Sequence, residues 1–179
     1  DGNEEKFKEY SQFFDINYED MERGWRVAWP QFSIGEITED DFWRMFLSTS
    51  GTKIINIEKA KEFRRKYQKP IENMLDLLSK LKDGYQLGAL TTISKEWLDF
   101  KKDKFHLDDY FEVIISSGYF GKSKPEKEVY QAALLHLHVL PEHSVFIDDT
   151  LESLEPADEL GMKTIQFRNQ QQLIKDFNE

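Results

Sequence analysis

The chain has 179 residues, no cysteine, and 34 acidic against 24 basic side chains, for a formal net charge of −10. That length makes one domain, or a core with a small second lobe, and a chain of this size buries about 70% of its unfolded surface without covalent staples. The missing thiols exclude disulfides, a cysteine nucleophile and thiolate metal sites, and they fit a reducing, cytoplasmic setting. The acidic balance opposes binding to nucleic acid, whose phosphates would be repelled. No apolar run approaches the roughly 18 residues of a membrane span, and no signal peptide is visible. Nothing in the sequence sets an oligomeric state. The first residue is Asp1 rather than methionine, which points to a processed, trimmed or incomplete N-terminus.

Residues from about Glu4 to Lys82 read as helical. Phe7, Tyr10, Phe13 and Phe14 follow helical spacing. Thr38 with Asp41 resembles a capping box opening a helix that carries Phe42, Trp43 and Phe46. Ile57 to Leu81 holds helix formers around Phe63, Tyr67, Met74 and Leu77, with Pro70 separating two helices. Trp25, Trp29, Phe32, Phe42, Trp43 and Phe46 make this half rich in aromatics, which fits helices packing on one another better than a cap that closes over substrate and excludes water.

From Leu87 the pattern alternates. Leu87 to Thr91, Val113 to Ser116, Val145 to Ile147 and Lys163 to Phe167 read as strands. Between them lie helices around Trp97, from Pro125 along Val129, Ala132, Ala133, Leu137 and Leu140, and from Leu151 to Leu160 closed by Gly161. Apolar strands alternating with helices argue for an α/β fold, a Rossmann-like parallel sheet covered on both faces. Ligands of such sheets bind at the carboxyl ends of the strands. The division expected is a helical part over residues 1–82 and an α/β part over 83–179. His136 and His138 read as ordinary helix residues.

Three polar features fall at those ends. Asp148 and Asp149 follow Val145-Phe146-Ile147. Adjacent carboxylates repel unless a cation compensates, and hard oxygens suit Mg²⁺, which takes one or two carboxylates with phosphate and water. Taken alone, the pair reads equally as a solvated loop or a helix N-terminus. Thr91-Thr92 ends the first strand, where a hydroxyl and free N–H groups can hold phosphate oxygens, though an ordinary turn is the commoner use. Lys124 precedes Pro125 before a helix, placed to neutralise a phosphate and a nearby carboxylate at once, though a solvated lysine is the commoner reading of a lone one.

In that order, Thr91, then Lys124-Pro125-Glu126, then Val145 to Thr150 with Ala157 and Leu160-Gly161-Met162, the region from about Gly84 to Phe167 resembles the haloacid dehalogenase superfamily of phosphohydrolases. Gly35-Glu36-Ile37-Thr38 with Asp41-Phe42-Trp43 resembles the helical cap of the subgroup whose cap lies between the first and second motifs. Receiver domains use similar residues, but with the acidic pair first and the lysine last. Thr92 and Ser153 stand where close members usually have Asn.

The resemblance implies a phosphatase acting on a small phosphorylated metabolite such as a sugar phosphate, with dehalogenase or phosphomutase chemistry as variants. It makes Asp148 and Asp149 the Mg²⁺ end, Lys124 the charge-neutralising lysine and Thr91, with Thr92, the phosphate contacts. It also implies an aspartate nucleophile ending a first, central strand beside the strand of Asp148, forming an aspartyl-phosphate. That motif is not found here. Phe13-Phe14-Asp15-Ile16-Asn17 is only a superficial likeness on an amphipathic helix, and no strand precedes Asp1-Gly2. The expectation is therefore that the nucleophile lies upstream of Asp1 and that the chain as given is inactive. The rival is a non-catalytic binding protein that keeps the fold.

Overall fold

The structure is a computed structural model that describes residues 2–54 and 56–177, with side chains described from residue 8 onward. Asp1 and the side chain of Phe7 lie outside the described residues. The first half is a stack of helices: α1 (Gly2–Phe14), α2 (Tyr18–Ser33), α3 (Glu39–Ser50), α4 (Ile57–Lys66) and α5 (Met74–Leu81). Three of these starts have a local cause. Asn17, Thr38 and Asn56 sit in extended backbone, and their side chains accept from Asp20, Asp41 and Lys59 N–H groups respectively. The expected capping box is present in part: Thr38 Oγ1 accepts from the Asp41 N–H at 3.2 Å and donates to the Asp41 carboxylate at 2.6 Å. Pro70 falls between α4 and α5, where it can end no hydrogen-bonded ladder.

The second half runs β1 (Gly88–Thr91), α6 (Lys95–Phe105), β2 (Val113–Ser116), α7 (Ser117–Phe120), α8 (Lys127–Leu137), β3 (Val145–Asp148), α9 (Leu151–Glu159), β4 (Lys163–Gln166) and α10 (Gln170–Phe177). One expectation about α8 is corrected. Leu140 is not on its apolar face: the helix stops at Leu137 because His138 turns left-handed, and Leu140 is 56% exposed. The short α7 and the C-terminal α10 have no counterpart in the sequence reading.

All strand pairing is parallel, as expected, but it is divided. β1 pairs with β2, and β3 pairs with β4, in two separate two-stranded sheets. Among the described residues, β1 and β3 each use one ladder edge only. The two sheets still share one apolar cluster, in which Leu90 of β1, Ile115 of β2 and Phe146 of β3 pack with Val129, Tyr130 and Ala157 of α8 and α9. Parallel strands normally lie buried on both faces; here most strand residues are half-buried. A cleft of about 1000 Å³ runs beside β3 and β4, lined by Tyr85, Val145, Thr164, Ile165 and Phe177 among others.

The larger core belongs to the helical half. Phe14, Met21, Ala28, Phe32, Phe42, Trp43 and Phe46 are fully buried, and Ile93, Trp97 and Leu98 from the β1–α6 segment join them. The backbones meet closely around Gly118. A Cβ added to Gly118 would lie 2.5 Å from the Lys95 nitrogen and 2.6 Å from the Ser94 carbonyl carbon. A Gly118→Ala substitution is therefore expected to cost about 1–3 kcal/mol by forced backbone movement, read as a lower urea midpoint at unchanged slope.

Two buried phenols carry a pH signature. Burial pushes Tyr10 up to about 12. Burial, with the nearby Asp148 charge, pushes Tyr130 to about 12 as well, and its hydroxyl donates to the Ser153 carbonyl at 2.8 Å. Between the ordinary value of 10.0 and about 12 the unfolded chain has lost these protons while the folded one keeps them. The unfolded state then binds fewer protons, so stability is expected to fall as pH rises through that window. Ultraviolet titration of the phenolates should show Tyr10 and Tyr130 ionising late in the folded protein and normally in urea.

Candidate functional site

Strand alternation and strand length decide where the polar residues fall. Asp148 is the last residue of β3, in register with Gln166, and Thr91 is the last of β1, in register with Ser116. Both therefore sit at carboxyl ends, where a parallel sheet leaves backbone groups free for ligands. Lys124 comes from the turn before α8. In that turn the Ser123 N–H donates to the Glu126 carboxylate at 3.1 Å.

Lys124 and Asp148 meet. Nζ lies 2.5 Å from Oδ2, with the two side chains 16% and 8% exposed. The other oxygen, Oδ1, accepts the Thr150 N–H at 2.9 Å. Burial pushes the Asp148 carboxyl up, but the Lys124 and Thr150 hydrogen bonds outweigh it and hold the group below the usual carboxylate range. Asp148 is thus a carboxylate at neutral pH, set against a half-buried ammonium that also lies 6.0 Å from the Phe146 ring centre.

The two aspartates are not equivalent. Asp149 is exposed, and its backbone carbonyl accepts from Gln166 Nε2 at 3.2 Å while its carboxylate accepts the Thr150 hydroxyl at 3.4 Å. Thr91 and Thr92 are half-buried at the end of β1, and no hydrogen bond joins either to Lys124 or Asp148. The site as seen is a lysine–aspartate pair with an open carboxylate beside it and two hydroxyls at the neighbouring sheet's end. Neither Lys124 nor Asp148 lines the cleft beside β4.

The donor set fits a hard divalent cation in part. Asp148 and Asp149 supply oxygens of the right kind. Among the described residues no three His, Cys, Asp or Glu side chains gather as a complete metal site. A cation here would complete its shell with water, phosphate oxygens or ligands from outside residues 1–179. The sequence reading missed the Thr150 N–H and the Gln166 amide; both act through the backbone geometry after β3, which side-chain chemistry does not announce.

Residues 31–167 match the family model described as haloacid dehalogenase-like hydrolase. The chain belongs to that family. The matched haloacid dehalogenase-like segment contains Thr91, Thr92, Lys124, Asp148 and Asp149. Among curated relatives, the chain is 30% identical over 154 residues to flavin mononucleotide hydrolase 1 of Arabidopsis thaliana, covering 86% of this chain and 62% of that one. It is 35% identical over 95 residues to glyceraldehyde 3-phosphate phosphatase of Pyrococcus furiosus, covering 51% of this chain and 39% of the relative. The chain thus spans less than two thirds of the length of these two relatives. The fold is that of a haloacid dehalogenase family enzyme of Bacteroides thetaiotaomicron solved as a magnesium complex, with a TM-score of 0.80 at 22% identity over 97% of this chain and 89% of that one. Among the described residues, no helix is long and apolar enough to cross a membrane.

Proposed function

We propose that this chain carries the lysine–aspartate half of a Mg²⁺-dependent phosphatase acting on a small phosphate monoester. The observation that carries this reading is the contact of Lys124 Nζ with Asp148 Oδ2 at the carboxyl end of β3. Such an ammonium can offset negative charge gathering on a phosphoryl group while holding the carboxylate in place. Asp148 and Asp149 would hold Mg²⁺, which when bound neutralises phosphate charge. Thr91 and Thr92 would donate to phosphate oxygens from the end of β1. The phosphatase and hydrolase relatives, and the neighbour solved with magnesium, support the same chemistry.

The nucleophile comes, in this reading, from an aspartate on a strand outside residues 1–179 that lies between β1 and β3. The divided sheet supports that placement. β1 and β3 each have an unused ladder edge, and their sheets rest on one shared cluster. A parallel strand inserted there would satisfy both edges and bury half-exposed faces. Its carboxyl end would fall beside Asp148 and Thr91. Residues 1–82 would then act as a helical cap over an α/β core formed by 83–179.

The test is hydrolysis of p-nitrophenyl phosphate, with and without Mg²⁺, by the protein extended through its natural upstream sequence. Metal-dependent turnover is expected. An extended protein that folds, binds phosphate and turns nothing over would favour a binding protein instead.

A further inference from the structure

Among the described residues, Glu39 is the one buried charged residue, with 4% exposure. Its carboxylate joins three helices. Oε1 accepts the indole N–H of Trp43 on α3 at 3.3 Å and that of Trp97 on α6 at 2.9 Å. Oε2 pairs with Arg65 on α4 at 2.8 Å. The Glu39 backbone N–H, a free donor in the first turn of α3, gives to the Glu96 carboxylate on α6 at 3.0 Å. The Arg64 guanidinium lies over the Trp97 ring, 4.2 Å from its centre.

Apolar side chains of the same volume would join these helices without desolvating a charge, and such replacements are often neutral or stabilising. What the buried carboxylate adds is direction, because each contact accepts only a narrow geometry. The helix so held is the one that follows Thr91 and Thr92. Its cap, Ser94, is fully buried. In the same turn, the Ile93 N–H donates to Ser117 Oγ at 2.9 Å, and that hydroxyl donates to the Ser33 carbonyl at 2.6 Å.

We propose that Glu39 is a positioning residue for the strand-end site. It fixes α6, and through α6 the Thr91–Ser94 turn, and it makes the helical layer and α6 one mechanical body. The layer is then a wall fixed to the β1 side, not a lid that lifts away from α6. The positioning half of this inference rests on the phosphatase reading; the mechanical half does not.

Native-state hydrogen exchange on the whole chain tests the mechanical half. The amides of α3, α4 and α6 and the indole N–H groups of Trp43 and Trp97 are expected to open together, with one denaturant dependence. Glu39→Gln should speed all of them by at least about tenfold and leave β3, β4 and α9 unchanged. Exchange of α6 with β1 and β2 at a rate indifferent to Glu39→Gln would overturn it. Should Glu39→Gln fail to fold, Trp97→Phe removes a single N–H, and the grouping in the unsubstituted protein still decides. The positioning half is read in the upstream-extended protein. Glu39→Gln should lower kcat on p-nitrophenyl phosphate by at least about tenfold with KM little changed, under conditions where the variant is fully folded. A kcat loss no larger than the loss of folded protein would overturn the positioning role. Absence of turnover in the unsubstituted extended protein would count against the phosphatase reading alone, since the exchange measurement needs no catalysis.

Discussion

Replacing Trp43 with alanine is expected to cost about 3–5 kcal/mol and to leave the helical half without fixed packing. The ring is fully buried. It packs against Phe42, Phe46, Phe14 and Trp97, with ring centres 4.9, 5.6, 5.9 and 6.4 Å away. Neighbours in such a core collapse only partly into the space left behind, so the loss includes a cavity as well as the transfer of the indole to water. The change also strips one donor from the Glu39 carboxylate, which is too buried to recruit water freely. Domains of this size are usually stable by about 5–15 kcal/mol, so a loss of that order takes much of the margin. Urea unfolding and near-ultraviolet circular dichroism read it. Leu135→Ala is the control: that side chain is 71% exposed, and its loss should stay within about 0.5 kcal/mol. A Trp43→Ala midpoint as close to the parent as that of the control would contradict the assignment of the main core to the helical half.

The second large effect is on turnover. In the upstream-extended protein, Asp148→Asn is expected to lower kcat on p-nitrophenyl phosphate by about 10²–10³. The substitution keeps the shape and the Thr150 N–H contact but removes the charge that faces Lys124 and would face Mg²⁺. Lys124→Met should fall in the same range, because among the described residues the ammonium is the one cation paired with Asp148. The two losses should not add, since each residue acts through the other; a double variant close to either single one is the expected pattern. Asp149→Asn should cost less. That side chain is exposed and, among the described residues, makes one long hydrogen bond. Equal losses at Asp148 and Asp149 would mean that the difference in their surroundings has no bearing on catalysis.

Much of the fold is legible from local signals. The runs Val113 to Ser116 and Val145 to Ile147 are short, apolar and bounded by polar turns, and both become strands. Thr38 caps a helix as its chemistry dictates, and Pro70 separates two helices. Motif order grouped Lys124 and Asp148 in one candidate site, but no local pattern announces the contact between them. Other features depend on partners far along the chain. Nothing near Gly88 or Val145 says that β1 and β3 leave an edge unused, because pairing joins residues distant in sequence. Leu140 keeps the apolar spacing of α8, yet His138 turns left-handed before it. Glu39 reads as a common acidic residue in a helix's first turn, favoured there by the backbone dipole. Its burial appears only when Trp97 arrives from 58 residues away. The unequal aspartates have a similar cause: β3 ends at Asp148, so its neighbour leaves the strand for water.

The claim at the centre is that Lys124 and Asp148 serve a nucleophile brought by a strand between β1 and β3. Trapping the phosphorylated protein tests it most directly. The upstream-extended protein would be incubated with a phosphate monoester and Mg²⁺, quenched in acid, reduced with borohydride to mark any acyl-phosphate, and mapped by mass spectrometry. The mark is expected on one aspartate upstream of Asp1, and on none within residues 1–179. A mark on Asp148 or Asp149, or steady turnover with no marked aspartate at all, would contradict the account.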